Sequence, residues 1–240
     1  MRGDKLINSI VKRHDRLDPF TDAQINIIRS TTKLFLKNGY TKTSLKMIEK
    51  DSGVKVGNIT YYFHSKEELL KVLVEELMDY HAIMLDDICR KYNDNLFSYA
   101  IEVTVQIALC EDNRSAWDLY SSAYNLPHTY EVIKAWAAEK NYNLFHDRLP
   151  DWTEHDFKEI EEVASGIELA ALKSVCNRNF TLDRKISLFL DSLLLLYNVS
   201  EDERKSVINK VLALDYNTMA KEMFDRFVKR LDNTEDLKGR

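Results

Sequence analysis

Two short stretches with helical apolar spacing, Ser44 to Ser52 and Val56 to Tyr62, are separated only by Gly53-Val54-Lys55. Two short helices joined by a tight turn that contains a glycine form a helix-turn-helix, and few other local folds suit this spacing. In the first stretch Leu45 and Ile48 point inward, with Thr43 or Ser44 as N-cap. Around the second, Val54, Ile59 and Phe63 share a core face, leaving Lys55, Val56, Asn58, Thr60 and Tyr61 on the open side. Upstream, Thr21-x-x-Gln24 is a capping box. It opens a helix on which Ile27, Ile28, Thr31, Leu34 and Phe35 recur and which Gly39 ends. Downstream, Ser65-x-x-Glu68 is a second capping box, opening a long helix over 66–93 with Leu69, Leu70, Leu73, Leu77, Ile83 and Leu85 as its apolar members. A helix-turn-helix sets its second helix in the major groove. Free N–H groups and Lys66 at the start of the next helix would suit a DNA phosphate.

The run Leu34-Phe35, Gly39-Tyr40, Thr43-Ser44-Leu45, Ile48, Gly53-Val54, Gly57, Ile59, Tyr61-Tyr62-Phe63 and Ser65-Lys66-Glu67-Glu68-Leu69 resembles the N-terminal domain of the tetracycline-repressor (TetR-like) family of bacterial transcription regulators. The resemblance implies that Thr43, Tyr62 and Lys66 touch phosphates and that Lys55, Val56, Asn58, Thr60 and Tyr61 lie against bases. Ser30, Thr31 and Asp51 stand where small alanines are usual in the family, and Thr60 replaces a frequent Tyr on the reading helix.

Net charge over 240 residues is −5, which by itself argues against a nucleic-acid partner. Its distribution reverses the argument, because residues 1–66 carry +7 and residues 67–240 carry −12. A basic head on an acidic body concentrates attraction for phosphate at the helix-turn-helix. With only 6 Gly and 3 Pro, the chain is expected to be all-α. Three cysteines (Cys89, Cys110 and Cys176) without CxxC spacing suit reduced thiols in a cytoplasm. Neither a signal peptide nor a membrane-spanning run is evident; the most apolar stretch, Ile186 to Val199, is short and broken by Asp191.

Three segments are expected: an extension over 1–20, the helix-turn-helix over 21–66 with its connecting helix over 66–93, and a helical ligand-binding and dimerisation domain over 94–240. The extension carries Arg2, Lys5, Lys12, Arg13 and Arg16 beside Leu6, Ile7, Ile10 and Val11, which fits either a DNA-contacting arm or a solvated tail. Beyond residue 94 the periodicity predicts helices over 97–110, 115–124, 129–148, 153–179, 182–197, 201–214 and 218–231. The stretch Leu188-Phe189-Leu190 with Leu193 to Leu196 is apolar nearly all the way round, so it must be covered on several sides. It reads either as an internal core helix or as part of the four-helix dimer interface of the family plan. On the second reading Ile167, Ala170, Ala171, Phe189, Leu193 and Leu196 are the candidate contacts, with the small residues permitting close approach. Aromatic and polar residues crowd the middle, and Trp117, Tyr120, Tyr124, His128 and Trp136 are the candidate lining of a ligand pocket. The spacing of Trp117, Tyr120 and Tyr124 fits plain core equally well.

The chain contains no phosphate loop, dinucleotide fingerprint, HExxH zinc motif or GxSxG elbow, so neither catalysis nor a cofactor is indicated. His146, Glu154 and His155 read as surface around a proline loop. The expected function is that of a cytoplasmic homodimeric TetR-like regulator, a repressor of the usual family kind. It would bind a palindromic DNA operator and be released by a small-molecule effector. The alternative is a helical protein that regulates through protein partners without an effector.

Overall fold

The computed structural model describes residues 20–232, so the basic extension lies outside the described residues. The described chain is helical throughout, apart from a single antiparallel bridge between Asn177 and Phe180. No described helix is long and apolar enough to cross a membrane.

The head consists of α1 (Asp22–Asn38), α2 (Leu45–Ser52) and α3 (Val56–Phe63), packed against the start of α4 (Lys66–Tyr92). Its boundaries follow local chemistry. Thr21 and Gln24 form the expected capping box at α1, while Ser44 and Ser65 cap α2 and α4. Gly39 and Gly53 end α1 and α2 at φ +85° and +74°, a region that a residue with a Cβ enters at a cost. Gly39 has a second constraint, since a Cβ there would lie 2.5 Å from an oxygen of Asp118. Ile27, Ile28, Phe35, Ile48, Ile59 and Phe63 close the small core of the head.

The body contains α4, α5 (Asn95–Asp112), α6 (Arg114–Asn125), α7 (Pro127–Phe145), α8 (Glu154–Lys173), α9 (Leu182–Leu196), α10 (Glu201–Leu212) and α11 (Tyr216–Asp232). Helix α5 is its axis and touches every other helix of the body. Accordingly, Leu96 through Val105 are all buried, as expected of a helix apolar around its circumference. The helix expected over 153–179 ends at Lys173, and Asn177 and Phe180 then pair across a turn that reverses the chain into α9. Ile83, expected inside, is 37% exposed on the flank of α4.

Candidate DNA interface and interior site

Helix α3 turns an uncovered face outward from the head. Ile59 and Phe63 anchor it, while Lys55, Gly57, Asn58, Thr60 and Tyr61 are exposed and Val56 is partly covered. Tyr61 is 76% exposed, an unusual state for an aromatic side chain held only edge-on by Tyr62. The Thr60 hydroxyl donates to the carbonyl of Val56 one turn back. Glu49, which the sequence reading did not single out, ties α2 to α3. Its carboxylate accepts from Lys55 Nζ at 3.0 Å and from the Val56 N–H at 3.3 Å, and these donors hold it below the usual carboxylate range. Lys55 therefore has a partner in the free protein, yet its side chain is solvent-facing.

Two of the expected phosphate contacts are corrected. Thr43 is buried, and its hydroxyl donates to the carbonyls of Gly39 at 2.8 Å and Leu34 at 3.2 Å. The neighbouring Ser44 faces out and caps α2, so the Thr43 side chain is a brace within the α1–α2 turn. Lys66 is turned inward as well. Its ammonium donates to the carbonyls of Tyr40 at 3.0 Å and Thr43 at 3.1 Å and sits 3.9 Å from the centre of the Tyr40 ring. Burial lowers its pKa, and Asp118 partly offsets that shift. Tyr62 is half-covered beside Tyr61 at the end of α3.

The head is fastened to the body through α6. The carboxylate of Asp118 accepts from the Thr41 N–H at 2.8 Å and from the Thr41 hydroxyl at 2.6 Å, and the Ser115 hydroxyl donates to Lys37 O at 3.0 Å. A second tie joins the start of α4 to α7, where the His128 N–H donates to Glu67 at 3.0 Å.

The five residues proposed to line a pocket separate into two groups. Tyr120, Tyr124 and Trp136 are buried in the body. Trp117 lies outside this interior, its indole N–H donating to Leu172 O at 2.7 Å and the Arg114 guanidinium stacked on its ring. His128 is on the surface at the start of α7, near Glu67 and Glu68. Both residues are corrected, because one ring is satisfied by a backbone carbonyl and the other side chain is in solvent. Tyr120 instead joins a buried network. Its hydroxyl is 2.9 Å from His81 Nε2, His81 Nδ1 is 3.3 Å from Glu102 Oε1, and Lys140 Nζ donates to Glu102 Oε2 at 2.8 Å. Burial pushes the Glu102 carboxyl up, but Lys140 and His81 more than offset it and leave it below its ordinary value. Beside Tyr120, a cavity of about 20 Å³ is lined by Tyr80, His81, Glu102, Met223 and Phe227 among others. It has room for roughly one water. Sequence signals for this network exist. His81 lies one turn from both Leu77 and Leu85 on the core face of α4, and Glu102 is the one acid inside the apolar run 96–110. A buried charge requires a partner.

The candidate dimer contacts also divide. Ile167, Phe189 and Leu196 are partly covered and Ala170 is exposed, but Ala171 and Leu193 point into the protomer's own core. That is a correction of one helical phase. The outward positions include Val163 at 51%, Leu188 at 53% and Leu195 at 56% exposed, which lie with Ile167 and Ala170 on the uncovered side of α8 and α9. All three cysteines are free thiols.

Residues 27–73 match the model of the bacterial regulatory proteins of the tetR family. An uncharacterized HTH-type transcriptional regulator of Bacillus subtilis (strain 168), YwcC, is 22% identical over 233 residues, covering 83% of this chain and 93% of YwcC. From the same organism, the HTH-type transcriptional regulator LmrA is 29% identical over 97 residues, 39% of this chain and 52% of LmrA. The probable HTH-type transcriptional regulator YttP is 37% identical over 60 residues, 25% of this chain and 29% of YttP. Among solved structures, RolR in complex with resorcinol superposes with a TM-score of 0.63 at 17% identity, over 78% of this chain and 92% of that one, which shows a shared fold. The head over residues 27–73 is thus that of the tetR family of bacterial regulatory proteins, and the all-α body behind it shares its fold with RolR.

Proposed function

We propose that the protein is a cytoplasmic homodimeric repressor that reads a palindromic operator and is released by a small molecule held in its body. The observation that carries the DNA reading is the face of α3. Lys55, Asn58, Thr60 and Tyr61 stand in solvent on a helix anchored by Ile59 and Phe63, where side chains are free to meet base edges. Tyr62 and the basic surface of the head would set register on the phosphates. The apolar side of α8 and α9 supports pairing with a second copy, and two-fold symmetry would give two reading helices and hence a palindrome. The buried polar network beside the small cavity supports an effector site, as does the crystal structure of RolR with resorcinol. An effector acts only through different affinities for two conformations, and operator DNA must weaken effector binding by the same factor.

The test is selection of bound sequences from a random duplex pool by the purified protein at a stated salt concentration. The expected outcome is a palindromic consensus with two half-sites about one helical turn apart. Recovery of nothing beyond weak, salt-sensitive binding would mean that α3 does not read bases, and attention would move to regulation through protein partners.

A further inference from the structure

Helices α1, α2 and α4 are each capped by the side chain of the residue before them, and α3 is not. Thr21, Ser44 and Ser65 accept from the first turns they precede, whereas Lys55 makes no side-chain cap. Glu49 of α2 supplies what is missing. Its Oε2 accepts from the Val56 N–H at 3.3 Å, and its Oε1 accepts from Lys55 Nζ at 3.0 Å. The local chemistry of α2 gives no reason for an acid there. Glu49 lies in the last turn of that helix, where the macrodipole disfavours a negative charge, but beside the start of α3, where the dipole favours one. The far side of α2 is fixed as well, because Asp51 pairs with Lys33 of α1 at 2.8 Å.

The two partners differ in exposure. The Lys55 side chain is 82% exposed and that of Glu49 is 30% exposed. An ammonium carries several N–H donors, and only one of them is spent on Glu49. The rest are open to a partner at the first turn of α3, the end that approaches base edges in a helix-turn-helix. A lysine on its flexible stem reaches a phosphate as easily as a base, and phosphate contacts carry no sequence information. Held at its tip by a carboxylate, the same lysine loses that reach, and the carboxylate itself repels phosphate. It can still donate to a base acceptor brought against it. Guanine, with O6 and N7 side by side in the major groove, offers such acceptors to a lysine. An ion pair this exposed is weak by itself, so the hold depends on the Val56 N–H, which fixes the carboxylate from the backbone.

We infer that Glu49 is a positioning residue for sequence choice: it caps α3 and holds the Lys55 ammonium over one guanine of each half-site and away from the DNA backbone. This rests on the reading of α3 as the helix that meets DNA.

The test uses the full-length protein and the duplex it selects from a random pool. Single base-pair variants of that duplex and a random duplex of equal length are titrated at several salt concentrations. Lys55→Met should erase a preference of roughly tenfold for one guanine per half-site. It should leave the slope of log affinity against log salt unchanged. Glu49→Gln keeps an oxygen for the Val56 N–H and removes the charge. It should cut the same guanine preference to below about threefold and raise affinity for the random duplex by about threefold. The salt slope should steepen by about one unit per copy as Lys55 moves to a phosphate. In the Lys55→Met background Glu49→Gln should alter none of these quantities. An equal loss of affinity on every duplex, with the slope unchanged, would reduce Glu49 to a structural cap and overturn the inference. A flatter slope in Lys55→Met would also overturn it, by placing that lysine on a phosphate. This variant lies at an exposed position, so it decides even where Glu49→Gln unfolds the head. A selected palindrome whose base preferences are indifferent to both variants defeats the inference alone. Selection of no sequence by the unmodified protein removes the DNA reading of α3 and the inference with it.

Discussion

Leu188→Asp is the sharpest test of the proposed pairing of two copies. Leu188 is 53% exposed on α9, so roughly half of its side chain is available to be covered by a partner. Full burial of a leucine contributes about 1.5–3 kcal/mol, which makes the uncovered half worth ~1 kcal/mol per copy. A two-fold interface repeats every residue, so the loss is ~2 kcal/mol per dimer before any charge is counted. Two carboxylates placed at an apolar seam add several kcal/mol of desolvation with no partner to offset it. A total of at least ~4 kcal/mol raises the dissociation constant about a thousandfold, taking a nanomolar dimer into the micromolar range. Sedimentation equilibrium at protein concentrations about tenfold below micromolar should therefore show mainly monomer for the variant and dimer for the unmodified protein, with far-UV circular dichroism unchanged because Leu188 is half exposed and not part of the protomer's own core. Leu193→Ala is the contrast. Leu193 is 0% exposed within one chain, so its truncation should cost ~2–5 kcal/mol of folding stability. If Leu188→Asp remains dimeric at these concentrations, the α8–α9 face is not the interface and the reasoning from exposed leucines fails.

Asn58→Ala should cost about 1–3 kcal/mol at one operator base pair, measured as affinity across operator variants; a uniform loss over all variants would remove Asn58 from base readout. Lys66→Ala should lower head stability by ~1–2 kcal/mol through loss of its two carbonyl contacts. It should leave the slope of log affinity against log salt nearly unchanged, and a decrease of about one unit would restore Lys66 to a phosphate. For Glu161 the folded pKa, pushed up to about 8, lies above its unfolded value. Its neutral form thus stabilises the fold fully below the unfolded pKa, and that stability is lost as pH rises through 8. The melting temperature should fall by at least ~3 °C between pH 6 and pH 8.5, the shift that about 1 kcal/mol produces in a chain of this size. Glu161→Gln should flatten that decline, and a decline unaltered in the variant would assign it to other groups.

The parts of this protein that were legible in its sequence are those decided within a few residues. Thr21 with Gln24, Ser44, Gly39, Gly53 and Ser65 mark the helix ends of the head because caps and positive-φ turns are local chemistry. Failure began where two neighbouring residues compete for one role. Thr43 and Ser44 both carry hydroxyls, and only the three-dimensional closure of the α1–α2 turn directs the first inward and leaves the second as the cap. For α9 the difficulty is different. With Leu188, Phe189, Leu190, Leu193, Leu194, Leu195 and Leu196 around it, there is no broad polar face to set its phase, so the pattern cannot tell buried Leu193 from exposed Leu188 and Leu195. The interior polar network is assembled from α4, α5, α6, α7 and α8. A lysine at 140 and a glutamate at 161 look like ordinary helix-surface charges until α5 brings Glu102 between Lys140 and His81, and Asn141 and Tyr197 close on Glu161.

Helix α6 is where these two kinds of information meet. On one side Asp118 and Ser115 bind the turn and end of α1 through three hydrogen bonds. Two residues further along, Tyr120 is buried against His81 in the polar core. A rigid helix cannot shift its buried side without carrying its exposed side along, and the bonds at Thr41 lie in solvent, where they are exchanged for water at a net cost of only about 1 kcal/mol each. The strong anchoring is therefore at the interior end and the weak anchoring at the head. A change in packing around His81 and Tyr120 large enough to move α6 would be resisted by the core and only lightly by the Asp118 contacts. The steric limit at Gly39, where a Cβ would strike the Asp118 carboxylate, shows how closely the two parts are fitted in the resting arrangement. A tight fit held by weak bonds can be exchanged for another arrangement by a few kcal/mol of differential binding, which is the range in which coupling between sites operates.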